Sequence, residues 1–289
     1  MENTLITGTS GFIGWHLFHE LEKRQFIPVG TYCNHDGDHR FHKLDLTKLD
    51  SINALLDSLA PNAIIHLAAA SKPAFCETNK EIAYKINVKG SEALATWANA
   101  HQIPFVFAST DQIYDGENAP YGEHSVVLPI NEYGRQKFEA ETVIKTVCPS
   151  ATLLRFALIY GKSTPYAESF LQWLERDLIS NKTLQLFSDE YRTPLDVETL
   201  CNAIIESLNY PAETFQLAGN DKLSRSEIGF LVAGALGILN PNIEVIKQSE
   251  VPLQSPRPKD LAMCNEKAKR YRLMQPLSFS EMIEKILLD

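Results

Sequence analysis

Thr7-Gly8-Thr9-Ser10-Gly11-Phe12-Ile13-Gly14 is the stretch on which the reading of this chain turns. It sits between a short apolar run, Thr4 to Thr7, and a run from Phe12 to Lys23 in which Phe12, Ile13, Leu17 and Leu21 recur at helical spacing. Glycines three apart mean little alone. At a junction from strand to helix they meet three needs together. The chain must turn tightly, its backbone must approach a pyrophosphate, and the helix must aim its free N–H groups at that anion. Gly8, Ser10, Gly11, Phe12, Ile13 and Gly14 are therefore candidate cofactor-binding residues. The bland alternative is an ordinary glycine-rich loop, and the strand-to-helix setting argues against it.

Outward from this turn the chain alternates. Strand runs are read at Ile27 to Cys33, Ala63 to Leu67, Phe105 to Ala108 and Ala151 to Phe156, with a short run at Phe41 to Leu44. Helical runs are read at Ser51 to Leu59, Val88 to Ala100 and Asn131 to Val147. Short apolar strands alternating with helices predict an α/β fold, a Rossmann-type doubly wound parallel sheet covered on both faces. Past residue 160 the rhythm loosens. Tyr166 to Ile179 reads as helix, Leu184 to Phe187 as strand and Thr199 to Leu208 as helix. Capping boxes, Ser224 with Glu227 and Ser278 with Glu281, open two more helices. Val251 to Pro258 holds three prolines and reads as loop. The expected division is an NAD(P)-binding Rossmann domain over 1–160 and a smaller C-terminal α/β substrate-binding lobe over 161–289. A strand and helix around 184–217 are expected to return to the first unit, with a cleft between the two.

Composition narrows the function. The 289 residues carry a formal net charge of −9 and a pI near 5.4. That balance lacks the global basic character of most nucleic-acid binders. No run approaches the roughly eighteen apolar residues of a spanning helix, and the opening residues show no basic-then-apolar leader. Cys33, Cys76, Cys148, Cys201 and Cys264 are scattered without CxxC spacing, as expected of reduced thiols in a cytoplasmic protein. His35, His39 and His42 read as a solvated loop rather than a metal site.

The cofactor's second anchor is expected after the second strand, where an acid would bind the ribose 2′-OH of NAD. The chain offers Thr31-Tyr32-Cys33-Asn34-His35, then His39 and Arg40. With no carboxylate at the strand end a 2′-phosphate is not repelled, and Arg40 can pair with it. Asn34 and Arg40 are thus cofactor candidates, and NADP(H) is favoured over NAD(H). The alternative is that Asp36 or Asp38 serves NAD from the loop. Asp45 and Leu46 are placed to meet the adenine edge. Ala68, Ala69 and Ala70 follow the strand run that ends at Leu67, and their small side chains let a cofactor lie against the backbone, with Leu67, Ala68 and Ala69 as contacts.

Tyr133 and Lys137 lie four apart in a helical run and so share a face. A free tyrosine titrates near pH 10, and a neighbouring ammonium favours its phenolate. The pair alone is common on surfaces. Its weight comes from Ala108-Ser109-Thr110-Asp111, at a strand's C-terminal end, where ligands bind in a doubly wound sheet. A hydroxyl there can bond a substrate carbonyl beside Tyr133.

Together TGTSGFIG, STD and YxxxK resemble the extended short-chain dehydrogenase/reductases. STDQIYDGENAPYGEHSVVLPINEYGRQKFEAE, LLRFALIYG and Arg257-Pro258 before Asp260-Leu261-Ala262 extend the resemblance to the dTDP-4-dehydrorhamnose reductase-like subgroup, over nearly the whole chain. The resemblance implies an oxidoreductase that reduces a keto group on a nucleotide-linked sugar, a homodimer with no nucleic-acid or membrane partner. It implies Thr110, Tyr133 and Lys137 as catalytic residues: Tyr133 donates a proton to the ketone oxygen, Lys137 holds the nicotinamide ribose and tunes Tyr133 toward neutrality, and Thr110 orients the carbonyl. Tyr133, Lys137 and Phe156 join the cofactor contacts, and Asp111 faces the substrate; Arg192 can pair with a substrate phosphate or simply with Asp189 or Glu190. Three positions depart from the pattern. Gln112 replaces the acid of the dehydratases, Leu158 stands where rhamnose-forming reductases tend to carry Trp, and Arg192 stands where they have a small residue. Two alternatives share the motifs: a regulatory NADP-binding subunit like the methionine adenosyltransferase beta subunit, and a sugar-nucleotide epimerase.

Overall fold

The computed structural model describes residues 3–34 and 39–288. The first part of the chain forms β1 (Asn3–Thr7), β2 (Ile27–Tyr32), β3 (Phe41–Lys43), β4 (Ala63–His66), β5 (Phe105–Thr110) and β6 (Thr152–Phe156). Among them run α1 (Phe12–Lys23), α2 (Leu49–Leu59), α3 (Pro73–Thr78), α4 (Lys80–Tyr84), α5 (Ser91–Ala100) and α6 (Glu132–Val147). A π-helical stretch, Lys85–Gly90, joins α4 to α5. The later part adds β7 (Ile159–Tyr160), α7 (Phe170–Ile179), β8 (Leu184–Phe187), β9 (Tyr191–Arg192), β10 (Leu195–Asp196), α8 (Val197–Ser207) and β11 (Thr214–Leu217). It ends with β12 (Leu223–Ser224), α9 (Arg225–Ala235), β13 (Ile243–Ile246), α10 (Glu266–Arg270) and α11 (Phe279–Leu288).

Seven strands make one parallel sheet in the order β3-β2-β1-β4-β5-β6-β11. This is the doubly wound α/β arrangement expected of the sequence. Successive residues of β1 face opposite sides, as a strand's period of two requires. Ile6 joins an apolar layer with Leu17 and Phe18 of α1 and Leu200 and Ile204 of α8. Leu5 joins the other layer with Ile52 of α2, Leu94 of α5 and Ile144 of α6. Burial on both sides explains why β4 and β5 read as unbroken apolar runs. Strand order reverses between β1 and β4, so their C-terminal ends open a crevice, the place where such sheets bind ligands.

A separate cluster gathers Leu171, Leu174, Leu184, Leu186, Ile228, Val232, Met282 and Ile283 from α7, β8, α9 and α11. Here β8 pairs in parallel with β13. Of the stretch 184–217, β8 therefore belongs to this smaller cluster, whereas α8 packs in the layer of α1 and β11 extends the main sheet beside β6. The helix expected from Tyr166 begins only at Phe170. Thr164 closes a turn by accepting the Ala167 N–H at 2.9 Å, and the helix starts where Ser169 and Gln172 form a capping box. Among the described residues no helix is long and apolar enough to cross a membrane.

Candidate active site

The turn after β1 places Gly8 at φ +75°, a left-handed conformation, and a Cβ there would sit 2.9 Å from the Ala68 Cα. Only glycine meets both demands. The Gly11 N–H closes the turn on the Gly8 carbonyl at 2.9 Å, and α1 then begins without a side-chain cap or an acid in its first turn. Those first-turn N–H groups form a seat for an anion.

This turn borders a cleft of about 1290 Å³. Gly8, Ser10, Gly11, Phe12, Ile13 and Gly14 line it, with Asn34, Asp45, Leu46, Leu67, Ala68, Ala69 and Phe156. Thr110, Asp111, Tyr133, Lys137 and Arg192 line it too. The two groups of sequence-predicted residues thus meet in one crevice. Arg40 does not line it: its Nη1 stands 3.0 Å from Glu22 Oε1, with the guanidinium over the Phe18 ring at 5.1 Å. His35, Asp36 and Asp38 lie outside the described residues.

One wall of the crevice is fixed from beneath. Thr7 Oγ1 accepts the N–H groups of Leu67 and Ala68, both at 3.1 Å, and stands 2.6 Å from His66 Nδ1. His66 Nε2 reaches Ser91 Oγ at 2.8 Å. Burial, helped by the charge of Lys137, lowers the His66 pKa to about 3, so the imidazole stays neutral and the chain of bonds carries no charge.

The opposite wall is α6. Asn131 caps it by accepting the Gly134 N–H at 2.8 Å. A Cβ on Gly134 would lie 2.1 Å from the Gln112 carbonyl oxygen, so α6 can press against the turn after β5 only because this residue is glycine. That approach brings Tyr133 beside Thr110. We expect Gly134→Ala to push the two elements apart, destabilising by about 1–3 kcal/mol as overpacking does and lowering any turnover about a hundredfold through misplacement. Urea unfolding and steady-state rates check both.

Tyr133 and Lys137 are buried, at 8% and 2% exposure. The Lys137 Nζ lies over the Phe107 ring, 3.9 Å from its centroid. Burial drives the Lys137 pKa down to about 7, with Glu141 pulling weakly upward. Tyr133 departs from the sequence expectation. Its pKa is raised rather than brought toward neutrality, first by burial, then by the charges of Asp111 and Cys76, with only the Thr110 hydroxyl opposing. That expectation rested on an ammonium at Lys137 together with the charge of a nicotinamide, and burial leaves the lysine half neutral near pH 7. The Thr110 hydroxyl donates to Asp111 Oδ1 at 3.2 Å. The arrangement holds a neutral phenol ready to give a proton, beside a lysine able to change charge near neutrality.

Beyond Asp111 the cleft is cationic. Arg192, Arg225 and Arg257 all line it and all touch Glu190. Arg192 also stands 3.8 Å from Asp111 Oδ2.

A family described as RmlD substrate binding domain matches residues 1–289, the full chain. The chain belongs to that family. It is 30% identical to a Haloferax volcanii protein named "Probable low-salt glycan biosynthesis reductase Agl14", over 80% of this chain and 79% of that protein. It is 29% identical to the methionine adenosyltransferase 2 subunit beta of Xenopus laevis, over 88% of this chain and 78% of that one. Its fold matches the crystal structure of dTDP-4-dehydrorhamnose reductase from Bacillus anthracis in complex with NADP, with a TM-score of 0.88, 22% identity, and 100% and 99% of the two chains covered.

In this RmlD-family chain several cleft residues escaped sequence reasoning. Arg225 follows Ser224, which the sequence marks only as a helix cap, yet it lines the cleft. Val251 to Pro258, read as plain loop, supplies a cleft wall. Glu190, read from the sequence only as a possible partner of Arg192, is fully buried behind the cleft arginines. The one available signal was the pairing of Arg257 with Pro258 late in the resemblance. Among the described residues no group of His, Cys, Asp and Glu side chains could hold a metal ion.

Proposed function

We propose that this chain reduces a keto group on a nucleotide-linked sugar, using NADPH in preference to NADH. One observation carries the reading. A buried phenol, with Thr110 and Lys137, lies in a cleft that has an uncapped helix N-terminus at one end and three guanidiniums at the other. Two anion seats flanking a neutral acid suit a dinucleotide and a sugar diphosphate. In this reading the seven-stranded sheet and its helices form the cofactor unit, and the cluster around α7, α9 and α11 forms the substrate unit.

The residues fit a nicotinamide dinucleotide. The bare Gly8 turn and the α1 N-terminus would hold its pyrophosphate, Ala68 and Ala69 leave room for its body, and Lys137 would meet the nicotinamide ribose. The bound dinucleotide supplies hydride. Tyr133 gives its proton to the ketone oxygen, and Thr110 orients that oxygen by turning its hydroxyl from Asp111. The ammonium form of Lys137 then stabilises the tyrosinate. NADPH is preferred because the described end of β2, Tyr32-Cys33-Asn34, presents no carboxylate to a ribose 2′-OH.

The test is fluorescence titration with NADPH and NADH, followed by NADPH oxidation across a panel of 4-keto nucleotide sugars. Binding of NADPH and turnover of at least one sugar are expected. Absence of binding to either dinucleotide sinks the reading, and NADH affinity equal to or above that for NADPH overturns the cofactor preference. The likeness to methionine adenosyltransferase beta subunits favours a second reading, a regulatory subunit. Dinucleotide binding without turnover, together with co-elution with a methionine adenosyltransferase, would select it.

A further inference from the structure

Three arginines from three separate segments converge on Glu190, which is fully buried. Arg225 opens α9, Arg257 lies in the proline-rich loop and Arg192 ends β9. Arg225 reaches Glu190 Oε1 through its Nε at 2.8 Å, and Arg257 reaches Oε2 through its Nε at 3.1 Å. The Arg225 backbone N–H also donates to the Glu190 carbonyl at 3.0 Å.

Which nitrogen is engaged matters. Arg225 donates its inner Nε–H to Glu190, whereas Arg257 turns its Nε to Glu190 Oε2 as an ion pair without a hydrogen bond. Their terminal Nη1 and Nη2 atoms make no hydrogen bond among the described residues, and both side chains line the cleft. The rings of Phe170 and Phe187 lie 5.9 and 5.6 Å from the two guanidinium carbons. Arg192 is the opposite case. Its Nη1 donates to the carbonyls of Tyr191, Pro258 and Lys259, its Nη2 meets Glu190 at 3.3 Å and its Nε faces Asp111. Of the two roles open to Arg192 from the sequence, a substrate phosphate or the neighbouring acids, the structure shows a strut between Glu190 and Asp111. The three guanidiniums outnumber the two carboxylates they touch, and the excess charge lies with the arginines that have open ends.

We propose that Glu190 is a positioning residue. By holding the Nε edges of Arg225 and Arg257 it presents their four terminal nitrogens as a preformed clamp for the substrate's diphosphate. The inference rests on the sugar-nucleotide reading above. The flanking arginines hold Glu190 below the usual carboxylate range against the effect of burial, so it stays ionised while doing this.

The test uses a paradox of sign. Glu190→Gln removes a negative charge from an anion site, so charge alone predicts tighter binding. Positioning predicts weaker binding, by about tenfold, the scale of one charge-assisted hydrogen bond. Glu190→Asp keeps the charge but shortens its reach, so charge alone predicts no change and positioning again predicts a loss. Calorimetric titration of the full chain with inorganic pyrophosphate and with dTDP reads both variants. NADPH fluorescence shows that the fold and the cofactor end are intact. With a turned-over sugar nucleotide, KM should rise about as much as the probe affinity falls. Equal or tighter probe binding by Glu190→Gln, or unchanged binding by Glu190→Asp, overturns the proposal. If Glu190→Gln does not fold, Glu190→Asp decides. If the unaltered protein binds neither probe, the sugar-nucleotide reading itself fails. If it binds them and both variants match it, only the role of Glu190 fails.

Discussion

Tyr133→Phe is expected to lower turnover of a 4-keto nucleotide sugar by about 10²–10⁴-fold, the range supplied by a positioned acid, while NADPH binding stays as it was. The phenylalanine ring keeps the packing of a residue only 8% exposed, so the loss reads chemistry and not fold. The size of the effect follows from the surroundings. Burial and the charges of Asp111 and Cys76 keep the phenol protonated well above its ordinary range. The wild-type residue therefore enters every cycle as an acid. The alternatives nearby are poor ones: the Thr110 hydroxyl is engaged with Asp111, and His66 is neutral, fully buried and bonded on both nitrogens. A rate within a few-fold of wild type would move the proton transfer to another group.

Lys137→Met should abolish turnover and yet stabilise the chain. Folded, Lys137 loses its proton near pH 7; unfolded, near pH 10.5. Between these values the unfolded chain holds more protons, so wild-type stability rises with pH across that window. Below about pH 7 the full penalty of the buried cation stands. At 1.36 kcal/mol per pH unit the penalty is about 4 kcal/mol near neutrality, and the Phe107 face under Nζ offsets up to about 2 kcal/mol of it. Methionine fills similar space without the charge. The variant's melting temperature should exceed the wild type's by several degrees at pH 7, and the margin should close by about pH 10. A variant less stable than wild type at pH 7, or a margin that widens with pH, would show that the buried ammonium is held by contacts stronger than its desolvation. On the proposed reading, that result would mean that the site keeps a destabilising group for function.

The fold was legible because its signals are local. Gly8 to Gly14, the apolar strands and the box at Ser224 and Glu227 depend on neighbours a few residues away, and each stands where the sequence places it. That Thr110, Tyr133 and Lys137 meet in the cleft was legible for the same reason: Thr110 ends a strand, and Tyr133 and Lys137 share one helical turn. Legibility failed where tertiary contact decides. Arg40 turns to Glu22 on α1, a contact across eighteen residues that no local pattern announces. The helix from Phe170 starts late because Thr164 first closes a turn. The Tyr133 proton affinity was misjudged because spacing shows who is near but not how little water is. Glu190, Arg225 and Arg257 could not be assembled from sequence, since each comes from a different segment.

The proline-rich wall from Val251 to Pro258 bears on the thermodynamics of the cleft. Prolines at 252, 256 and 258 fix three φ angles before the chain folds. The segment has fewer conformations to lose, so setting it in place costs less conformational entropy than an ordinary loop of that length. Arg257 sits between two of those prolines, and its backbone is confined with them. A ligand entering here meets a wall whose ordering folding has already completed, and its binding energy is free to act on recognition.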